Sequence, residues 1–447
     1  MLDSGISEQN TFPKVEIYPK EGKETLNKST FSIEIISGGN SAGEGSCIVF
    51  KDRDLCVAFD CGAAVEDVFP EQERQRKKEI IEKLLAIRPE AIIISHYHAD
   101  HFLALAEYLL ELKERNFEWP LIVATKLTSK LLSRQMEMQR VFDDRGKYIC
   151  LDFAKGTENI ELIPTIHSVS GSAAALVTGK TKTVLYTGDL IDFDGEYGFP
   201  KVDYLIIDST RGLSLGEYDP GAEVEAVVTM GKEISTKLAS SFDAKVFVSM
   251  FSTQLWRTMF LRGTLKELGH ESSISGASYF ENMRIYDPSF TGKNGNRVIF
   301  CTGVWAQGWH NEERESTLVK LAKQRDRKYE LKKGDLVIIS GSIPTWSPEI
   351  TSRIREMCVS LIDLGADVIV DVSAPEEWEK EIGVERKEVH VSGHGSLDDL
   401  MKVVKNVRPK TVLPVHGELK ARQKISLECG KRGINVSLLM NGETINH

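Results

Sequence analysis

The segment 92-IIISHYHADHF of this 447-residue chain decides how the rest of the sequence is interpreted. It places His96, His98, Asp100 and His101 after an apolar run typical of a buried strand and before residues with helical spacing. Side chains alternate along an extended strand, so His96 and His98 project to the same side. Asp100 and His101 then lie at the helix entrance. There they can face a second metal ion, beside one that His96 and His98 would bind. Imidazole and carboxylate groups at this density predict a site for two metal ions.

The composition is that of a soluble globular protein, with 41% hydrophobic and 27% charged residues. No long apolar stretch occurs and the first thirty residues are polar, so we expect a cytoplasmic protein without a signal peptide or membrane span. Seven scattered cysteines argue against a disulfide framework and against a thiolate zinc site. The formal net charge of −10 argues against an overall basic field of the kind that non-specific nucleic-acid binders use.

Strand-like and helical segments alternate along the chain. The strand-like runs are 91-AIIIS, 183-TVLYT, 202-VDYLII, 245-KVFVSM, 298-VIF, 336-LVIIS, 368-VIVDV and 411-TVLPV. Helical spacing extends over 71–87, 102–113, 221–238, 255–268, 350–364 and 397–407. This alternation predicts a layered α/β protein. The runs 30-TFSIEIIS, 46-SCIVF and 55-LCVAFD are separated only by turns, which predicts that part of a sheet is antiparallel, and 287-DPSFTGKNGN is typical of an exposed loop.

Three further candidate ligands each follow a strand-like run: His167 in 163-IPTIHSVSGSAA, Asp189 in 184-VLYTGDL, and His416 in 411-TVLPVHGE. In this order the motifs resemble those of the metallo-β-lactamase superfamily. The resemblance implies an αββα sandwich and two ions, with Zn²⁺ expected and Mn²⁺ or Mg²⁺ as alternatives. It assigns His96, His98 and His167 to one ion, and Asp100, His101 and His416 to the other, with Asp189 as the bridge. Asp60 in 55-LCVAFDCG looks like the buried structural aspartate of that family.

Later motifs resemble the β-CASP nuclease branch of the superfamily. They are 202-VDYLIIDSTRG with Asp208, 389-VHVSGHGSLDDL with His394, and the segment around His416. The resemblance implies a first metallo-β-lactamase part over 1–211, an inserted α/β β-CASP cap domain over 212–375, and a return segment over 376–447. Within the branch, 301-CTG, 335-DLVIISGSIP and 439-LMNGETI are most similar to the ribonuclease J family. Because the chain ends soon after these residues, we expect the archaeal type, without a further C-terminal domain.

The sequence departs from the ribonuclease J pattern at a few places. The family's Thr-Gly-Ser-Gln-Gly-Glu run is 302-TGVWAQGWHNEE here, Phe102 replaces a glycine, and the acidic motif ends in 209-STRG. These departures concern the preferred RNA end and the oligomeric state more than the hydrolytic chemistry at the metals.

The resemblance also implies roles for the residues around the metals. Asp100 would be both a ligand and a catalytic residue, His394 would donate a proton to the leaving oxygen, and Asp208 would orient a neighbouring histidine. His390, Ser392 and Gly393 would bind a substrate phosphate ahead of the helix at Leu397. Ser396 as an ordinary N-cap is the alternative explanation of that segment.

Local basic segments offer a path for RNA despite the acidic total. They are 320-KLAKQRDRKYELKK and, near the C-terminus, Lys402, Lys405, Arg408, Lys410, Lys420, Arg422 and Lys424. A solvated helix face is the alternative for each of these residues. Trp305 and Trp309 could stack on a base, although packing is the commoner role of such residues.

The leading hypothesis is a two-metal ribonuclease, an exonuclease acting 5′ to 3′ or an endonuclease, on single-stranded RNA. One alternative is a hydrolase of the same fold that acts on a small phosphodiester or ester. The other is a non-catalytic RNA-binding partner, but such partners typically lose ligands and here every ligand position is filled. We expect no membrane association. For the oligomeric state, we consider both a monomer and a homodimer.

Overall fold

The computed structural model describes residues 31–64, 70–139, 156–292, 297–345 and 347–446. The first part contains β1 (Phe31–Ser37), β2 (Cys47–Asp52), β3 (Leu55–Phe59), α1 (Pro70–Ile87), β4 (Ala91–Ile93), α2 (Ala99–Phe102), α3 (Leu105–Glu114), β5 (Leu121–Val123), α4 (Lys126–Met138), β6 (Gly156–Thr157), β7 (Ile160–Ile166), β8 (Ala173–Thr178), β9 (Thr183–Tyr186), β10 (Asp192–Phe193) and β11 (Tyr204–Asp208). The middle part contains α5 (Pro220–Ser240), β12 (Val246–Ser249), α6 (Leu255–Glu267), β13 (Ser272–Ile274), α7 (Ala277–Tyr286), β14 (Val298–Cys301), α8 (Thr317–Ala322), β15 (Leu336–Ile339), α9 (Pro348–Asp363), β16 (Asp367–Asp371), α10 (Glu377–Glu381) and β17 (Glu385–Lys387). The last part contains α11 (Leu397–Val407), β18 (Thr411–Val415), α12 (Leu419–Lys431), β19 (Asn435–Val436) and β20 (Thr444–Asn446).

The first and last parts of the chain form two sheets that face each other. The first has the order β20-β1-β2-β3-β4-β5, and the second has the order β10-β7-β8-β9-β11-β18-β19, with β6 paired to β7. Aromatic rings fill the space between them: Phe31 stacks on Tyr204, and Phe59 packs against Tyr186, each pair with ring centroids 5.0 Å apart. Burial of this apolar interface is the main force that holds the two sheets together.

Helices cover the outer faces of both sheets. α1 and α3 pack on the first sheet through Leu84 and Tyr108, which are fully buried. α11 packs on the second sheet through Leu400 and Val404, and α12 adds Ile425. The arrangement is the predicted αββα sandwich. The N-terminal strands β1, β2 and β3 are antiparallel, as their short turns predicted.

A third sheet forms the cap. Its six strands are all parallel and have the order β13-β14-β12-β15-β16-β17. The sheet continues past residue 375, where the sequence placed the end of the cap, because Ile369 of β16 pairs with Glu385 of β17. The chain enters the cap after β11 and leaves it shortly before α11.

Each of the six predicted helical segments overlaps a helix of the structure, and α11 covers the predicted residues Leu397–Val407. The helices α4, α7 and α12 were not among the predicted segments. Its first turn has a capping box between Ser396 and Asp399, so the N-cap expected at Ser396 is present. Of the predicted loop 287–296, residues 293–296 lie outside the described residues. None of the helices in the described ranges is both long and apolar enough to cross a membrane.

Candidate metal centre

The segment after β4 carries four of the predicted ligands in a compact turn. β4 ends at Ile93, and the four-residue helix α2 begins one residue after His98. The backbone of this turn is fixed from outside: Ser46 N–H donates to the carbonyl of Asp100 at 2.8 Å. Gly62 permits this approach, since a Cβ at that position would lie 1.6 Å from the Asp100 carbonyl oxygen. The metal-binding turn therefore depends on a glycine 38 residues before it.

The first group of ligands consists of His96, His98, His167 and Asp189. Nδ1 of His98 lies 3.0 Å from Nε2 of His96 and 3.2 Å from Nε2 of His167. Oδ2 of Asp189 is 3.6 Å from Nε2 of His96. The two histidines at the strand end, His96 and His98, thus point to the same side. The third histidine of the group, His167, lies in the turn after β7.

The second group consists of Asp100, His101, His416 and again Asp189. Nε2 of His101 is 3.2 Å from Oδ2 of Asp189 and 3.8 Å from Oδ2 of Asp100. Nε2 of His416 is 3.6 Å from Oδ1 of Asp189 and 3.7 Å from Oδ2 of Asp100. Asp189 is common to the two groups. In the second group, its Oδ2 is close to His101 and its Oδ1 is close to His416.

These separations fit a divalent ion in each group. Ligands about 2.1 Å from a tetrahedral metal are about 3.4 Å from one another, which is close to the distances above. Within the described part of the chain, His101 Nε2 and Asp189 Oδ1 are buried without a hydrogen-bond partner. Buried polar atoms normally have a partner, and a bound cation would supply one here. The donor set of nitrogen and oxygen suits Zn²⁺ and also admits Mn²⁺.

The second ring nitrogen of most of these histidines has its own partner. Nδ1 of His101 meets Asp60 at 2.7 Å, Nδ1 of His167 meets the Gly393 carbonyl at 2.6 Å, and Nδ1 of His416 meets Ser46 Oγ at 3.2 Å. A carbonyl or carboxylate oxygen only accepts, so the Nδ1 atoms of His101 and His167 carry the proton. Their Nε2 lone pairs are therefore free to bind metal.

Asp60 has the structural role that the family resemblance implied. It accepts hydrogen bonds from Ser95 N–H at 2.7 Å, from the Tyr186 hydroxyl at 2.6 Å and from His101. Asp60 and His416 both adopt left-handed backbone conformations, with φ of 59° and 53°. Such conformations are unfavourable for residues other than glycine, and they occur where surrounding contacts fix a functional group.

Burial and charge set the protonation of the histidines. Burial lowers the pKa of His96 and His98 well below the usual value and lowers that of His167 to about 4, which keeps these rings neutral and ready to bind metal. Burial also acts on His101, but the Asp189, Asp60 and Asp100 carboxylates outweigh it and raise its pKa. A cation in the second group would take the place of that proton.

His394 lies beside the metal ligands and is held by Asp208. Its Nδ1 is 2.8 Å from Oδ2 of Asp208, and its Nε2 is 3.9 Å from Oδ2 of Asp189. Burial opposes the charged ring, but Asp208 and Asp189 raise the pKa of His394 to about 9. The three residues also have the spacing of a possible third metal group, although Oδ2 of Asp208 is already occupied by His394. This contact is the one that the orienting role predicted for Asp208 requires, and the role itself stays a prediction.

The three predicted phosphate-binding residues line the cavity beside the metals, but each already has an internal contact. His390 Nδ1 accepts from Arg257 of α6, which also pairs with Glu223 of α5. Ser392 Oγ accepts from the backbone N–H of His394 at 3.2 Å. The carbonyl of Gly393 is the partner of His167, so this glycine positions a metal ligand.

A cavity of about 980 Å³ lies between the two metal groups and the cap. Its lining includes cap residues such as Trp305 and five residues of the candidate metal centre and its surroundings: His98, Asp100, Asp189, His394 and His416. Trp309 turns away and donates to Glu356 at 2.8 Å.

The sequence-based assignment of Arg422 to a basic surface is wrong. Its side chain is 0% exposed and donates to the carbonyls of Gly39, Pro414 and Leu439. Two lysines of that set are paired with acidic residues, Lys402 with Glu217 and Lys410 with Asp203.

Sequence reasoning missed four residues that position the site: Ser46, Ser95, Tyr186 and Arg257. Each acts through a contact that is remote in sequence or depends on side-chain rotation, such as Ser46 with His416, 370 positions apart. Only Ser95 carried a signal, because it directly precedes His96 and lies within the metal motif.

Two family models match the chain. Residues 41–219 match the metallo-beta-lactamase superfamily, and residues 381–439 match the Zn-dependent metallo-hydrolase RNA specificity domain. Both ranges contain ligands described above, and together with the His/Asp groups they identify a divalent metal site.

Curated relatives extend the similarity over most of the chain. Ribonuclease J of Mycolicibacterium smegmatis is 24% identical over 91% of this chain and 73% of its own length. Ribonuclease J of Mycobacterium tuberculosis is 24% identical over 94% of this chain and 75% of its own length. For Ribonuclease J of Corynebacterium glutamicum, the match covers 91% of this chain and 57% of the relative.

A solved structure of a protein of unknown function from Enterococcus faecalis V583 shares the fold, with a TM-score of 0.56 and 16% identity over 93% of this chain and the whole of that one. The likeness to this structure concerns the fold alone. Together, the two family models and the curated relatives support a metallo-β-lactamase protein of the β-CASP type that is similar to ribonuclease J.

Proposed function

We propose that the chain is a two-metal-ion ribonuclease that hydrolyses phosphodiester bonds of single-stranded RNA. One observation carries the proposal: two candidate ligand groups share Asp189, and His394 lies beside them at the wall of a cavity of about 980 Å³. The similarity to ribonucleases J and to an RNA specificity domain supports RNA as the substrate.

Two Zn²⁺ ions would be held by His96, His98 and His167 on one side and by Asp100, His101 and His416 on the other, with Asp189 between them. When bound, such a pair lowers the pKa of a shared water and neutralises charge on the phosphate. Asp60 keeps His101 turned toward its ion, and Gly393 does the same for His167. The protein thus supplies preformed ligand geometry.

His394 would protonate the leaving 3′ oxygen. Asp208 and Asp189 raise its pKa to about 9 in the metal-free protein, which favours a protonated ring, and Asp208 fixes which nitrogen faces the cavity. A group that donates a proton in the transition state must carry it beforehand, so this raised pKa favours the role of an acid over that of a base.

The test uses end-labelled RNA with a 5′-monophosphate or a 5′-triphosphate, incubated with the purified protein and Mn²⁺ or Zn²⁺. Mononucleotides released only from the monophosphate substrate support 5′-to-3′ exonuclease action, and internal fragments support endonuclease action. The matched control is the double variant Asp100→Ala/His101→Ala. RNA that stays intact with wild-type protein under every metal contradicts the proposal, and hydrolysis of a small phosphodiester such as bis-p-nitrophenyl phosphate would then favour the alternative hydrolase.

A further inference from the structure

We propose that Arg257 of the cap is a positioning residue for the metal centre. It holds the segment that carries Gly393 and His394, and it thereby fixes the ring of the ligand His167. The inference rests on the proposed function for what the ions do, but its main test measures metal binding without RNA. The cap then contributes to the ligand geometry as well as to the wall of the cavity.

The segment that leaves the cap, residues 389–395, is tied to both halves of the molecule, and we call it the exit strap. It lies between β17 and α11. At its start, Ser340 Oγ at the end of β15 donates to the carbonyl of Val389 at 2.6 Å. At its end, the N–H of Gly395 donates to the carbonyl of Leu190, next to the bridging aspartate, at 2.8 Å. A displacement of the cap end of the exit strap would therefore act on the metal end.

Arg257 holds the middle of the exit strap. Its Nε and Nη2 donate to the two carboxylate oxygens of Glu223, at 2.5 and 2.6 Å. Nη2 also donates to the carbonyl of Val391 at 3.1 Å, and Nη1 donates to Nδ1 of His390. An arginine presents this planar set of donors, whereas a lysine has a single ammonium group. One side chain of the cap thus holds two consecutive residues of the exit strap.

Burial makes this contact costly to break. The side chain of Arg257 is 4% exposed and that of Glu223 is 14% exposed. A buried guanidinium needs a carboxylate and further acceptors, because water does not solvate it there. Glu223 of α5 supplies the charge, and the exit strap supplies the other acceptors. Movement of the exit strap away from Arg257 would leave buried donors without partners, so each fixes the other.

The metal end of the exit strap has little freedom. The carbonyl of Gly393 accepts from Nδ1 of His167 at 2.6 Å. A Cβ on Gly393 would lie 2.7 Å from that Nδ1 and 2.7 Å from the backbone nitrogen of Ser168, so this backbone packs directly against the ligand loop. Gly393 follows Val391 by two residues, a span of at most about 7 Å. Over so short a chain, a shift at Val391 would reach Gly393 and turn the His167 ring.

The exit strap also carries His394, whose backbone N–H donates to Ser392 Oγ at 3.2 Å. The ring of His394 meets Asp208 at the end of β11, in the second sheet. The same few residues therefore have to place one carbonyl against a ligand and one imidazole against a carboxylate. Arg257 reaches these groups through the exit strap, so it is a positioning residue and not a catalytic one.

The test is Arg257→Met in metal-free protein titrated with Co²⁺, whose visible absorption reports the number and geometry of its ligands. The relevant ion is the one whose binding His167→Ala weakens. We expect Arg257→Met to weaken that ion about tenfold and to change its absorption, since outer partners of a ligand histidine typically contribute about 10- to 100-fold. An affinity and a spectrum equal to those of wild type overturn the proposal.

Arg297→Met is the matched control for a general loss of cap stability. The guanidinium of Arg297 donates to the carbonyls of Leu238 and Ala244, each at 3.1 Å, before the start of β12 and at the opposite end of that strand from α6. We expect this variant to lower the midpoint of thermal unfolding without weakening Co²⁺ binding. If Arg297→Met weakens the ion as much as Arg257→Met does, the role of Arg257 is merely structural and the proposal is wrong.

A double-mutant cycle tests the route through His167. If the exit strap acts on the ion through this ligand, Arg257→Met adds little to the loss of affinity in His167→Ala, whereas independent effects add. Full additivity overturns the proposal. If Arg257→Met does not fold, Arg257→Met/Glu223→Gln replaces it in every arm, because removal of both charges avoids a buried carboxylate without a partner.

Cleavage of RNA distinguishes this proposal from the proposed function. At saturating metal, Arg257→Met should lower kcat by roughly tenfold and change KM less than about twofold, because His394 is displaced while the cavity wall stays. RNA left intact by wild type, together with a weakened ion in Arg257→Met, contradicts the ribonuclease and supports the positioning role. Cleavage by wild type, with unchanged kcat and unchanged Co²⁺ binding in Arg257→Met, contradicts the positioning role alone.

Discussion

Substitution of Asp208 by Asn tests the cause of the raised pKa of His394. Oδ2 of Asp208 lies 2.8 Å from Nδ1 of His394, whose ring is 21% exposed, and the carboxylate stabilises the protonated ring. Thr210 donates its N–H and hydroxyl to Oδ1 of Asp208, so these contacts hold the new amide oxygen. The amide N–H₂ then faces Nδ1, which has to lose its proton to accept. We expect the pKa of His394 to fall from about 9 toward its usual value in Asp208→Asn.

That change in pKa corresponds to ~3 kcal/mol of interaction between the Asp208 carboxylate and the protonated His394 ring, at 1.36 kcal/mol per pKa unit. The folded-state pKa of His394 is above its unfolded value near 6.5, so the pair stabilises the fold fully below pH ~6.5. The contribution is lost as pH rises through about 9. The free energy of unfolding of wild type should therefore exceed that of Asp208→Asn by more at pH 6 than at pH 10.

The assay is an NMR titration of the histidine resonances in metal-free protein, with His394→Gln to assign the signal. Denaturant unfolding at pH 6 and pH 10 gives the stability difference. Asp398→Asn is the control, since that carboxylate accepts from the backbone of Gly216 and not from a histidine. An unchanged pKa of His394 in Asp208→Asn, or a stability difference that does not shrink with pH, refutes the reasoning.

Further predictions concern the metals and the basic surface. Asp60→Asn removes the charge that faces His101, and zinc affinity measured by calorimetry should fall 10- to 100-fold; unchanged affinity would show that His101 needs no orientation. Removing the ions with EDTA should lower the midpoint of thermal unfolding, because ions that bind only the folded state stabilise it by ~4 kcal/mol at a thousand times their dissociation constant. Arg422→Met should destabilise the protein by ~3 kcal/mol, because three carbonyls lose their donor, and leave the salt dependence of RNA binding unchanged. Exposed Lys405 lies beside Arg408 at the surface, and Lys405→Ala should reduce the slope of log affinity against log salt by about one if RNA passes there; an unchanged slope excludes that path.

Local sequence predicted much of the candidate site because its ligands are tied to strand ends. His96, His98, Asp100 and His101 lie within six positions, and β4 followed by α2 fixes their directions through the backbone alone. The order of the later motifs then supplied the remaining ligands by resemblance. A layered α/β protein followed from the alternating strands and helices in the same way, since hydrophobic periodicity is a local property. The αββα sandwich was implied by the family resemblance.

The sequence by itself thus determined the secondary structure, the fold class and the identity of the candidate ligands. Only the tertiary structure decided how each of them is used. The protonated nitrogen of His167 depends on Gly393, 226 positions away, and Arg257 of the cap occupies His390, which the sequence assigned to a phosphate. Arg422 is basic in sequence and buried in the fold. Hydrogen-bond partners and burial depend on contacts between distant segments, and no local pattern encodes those contacts.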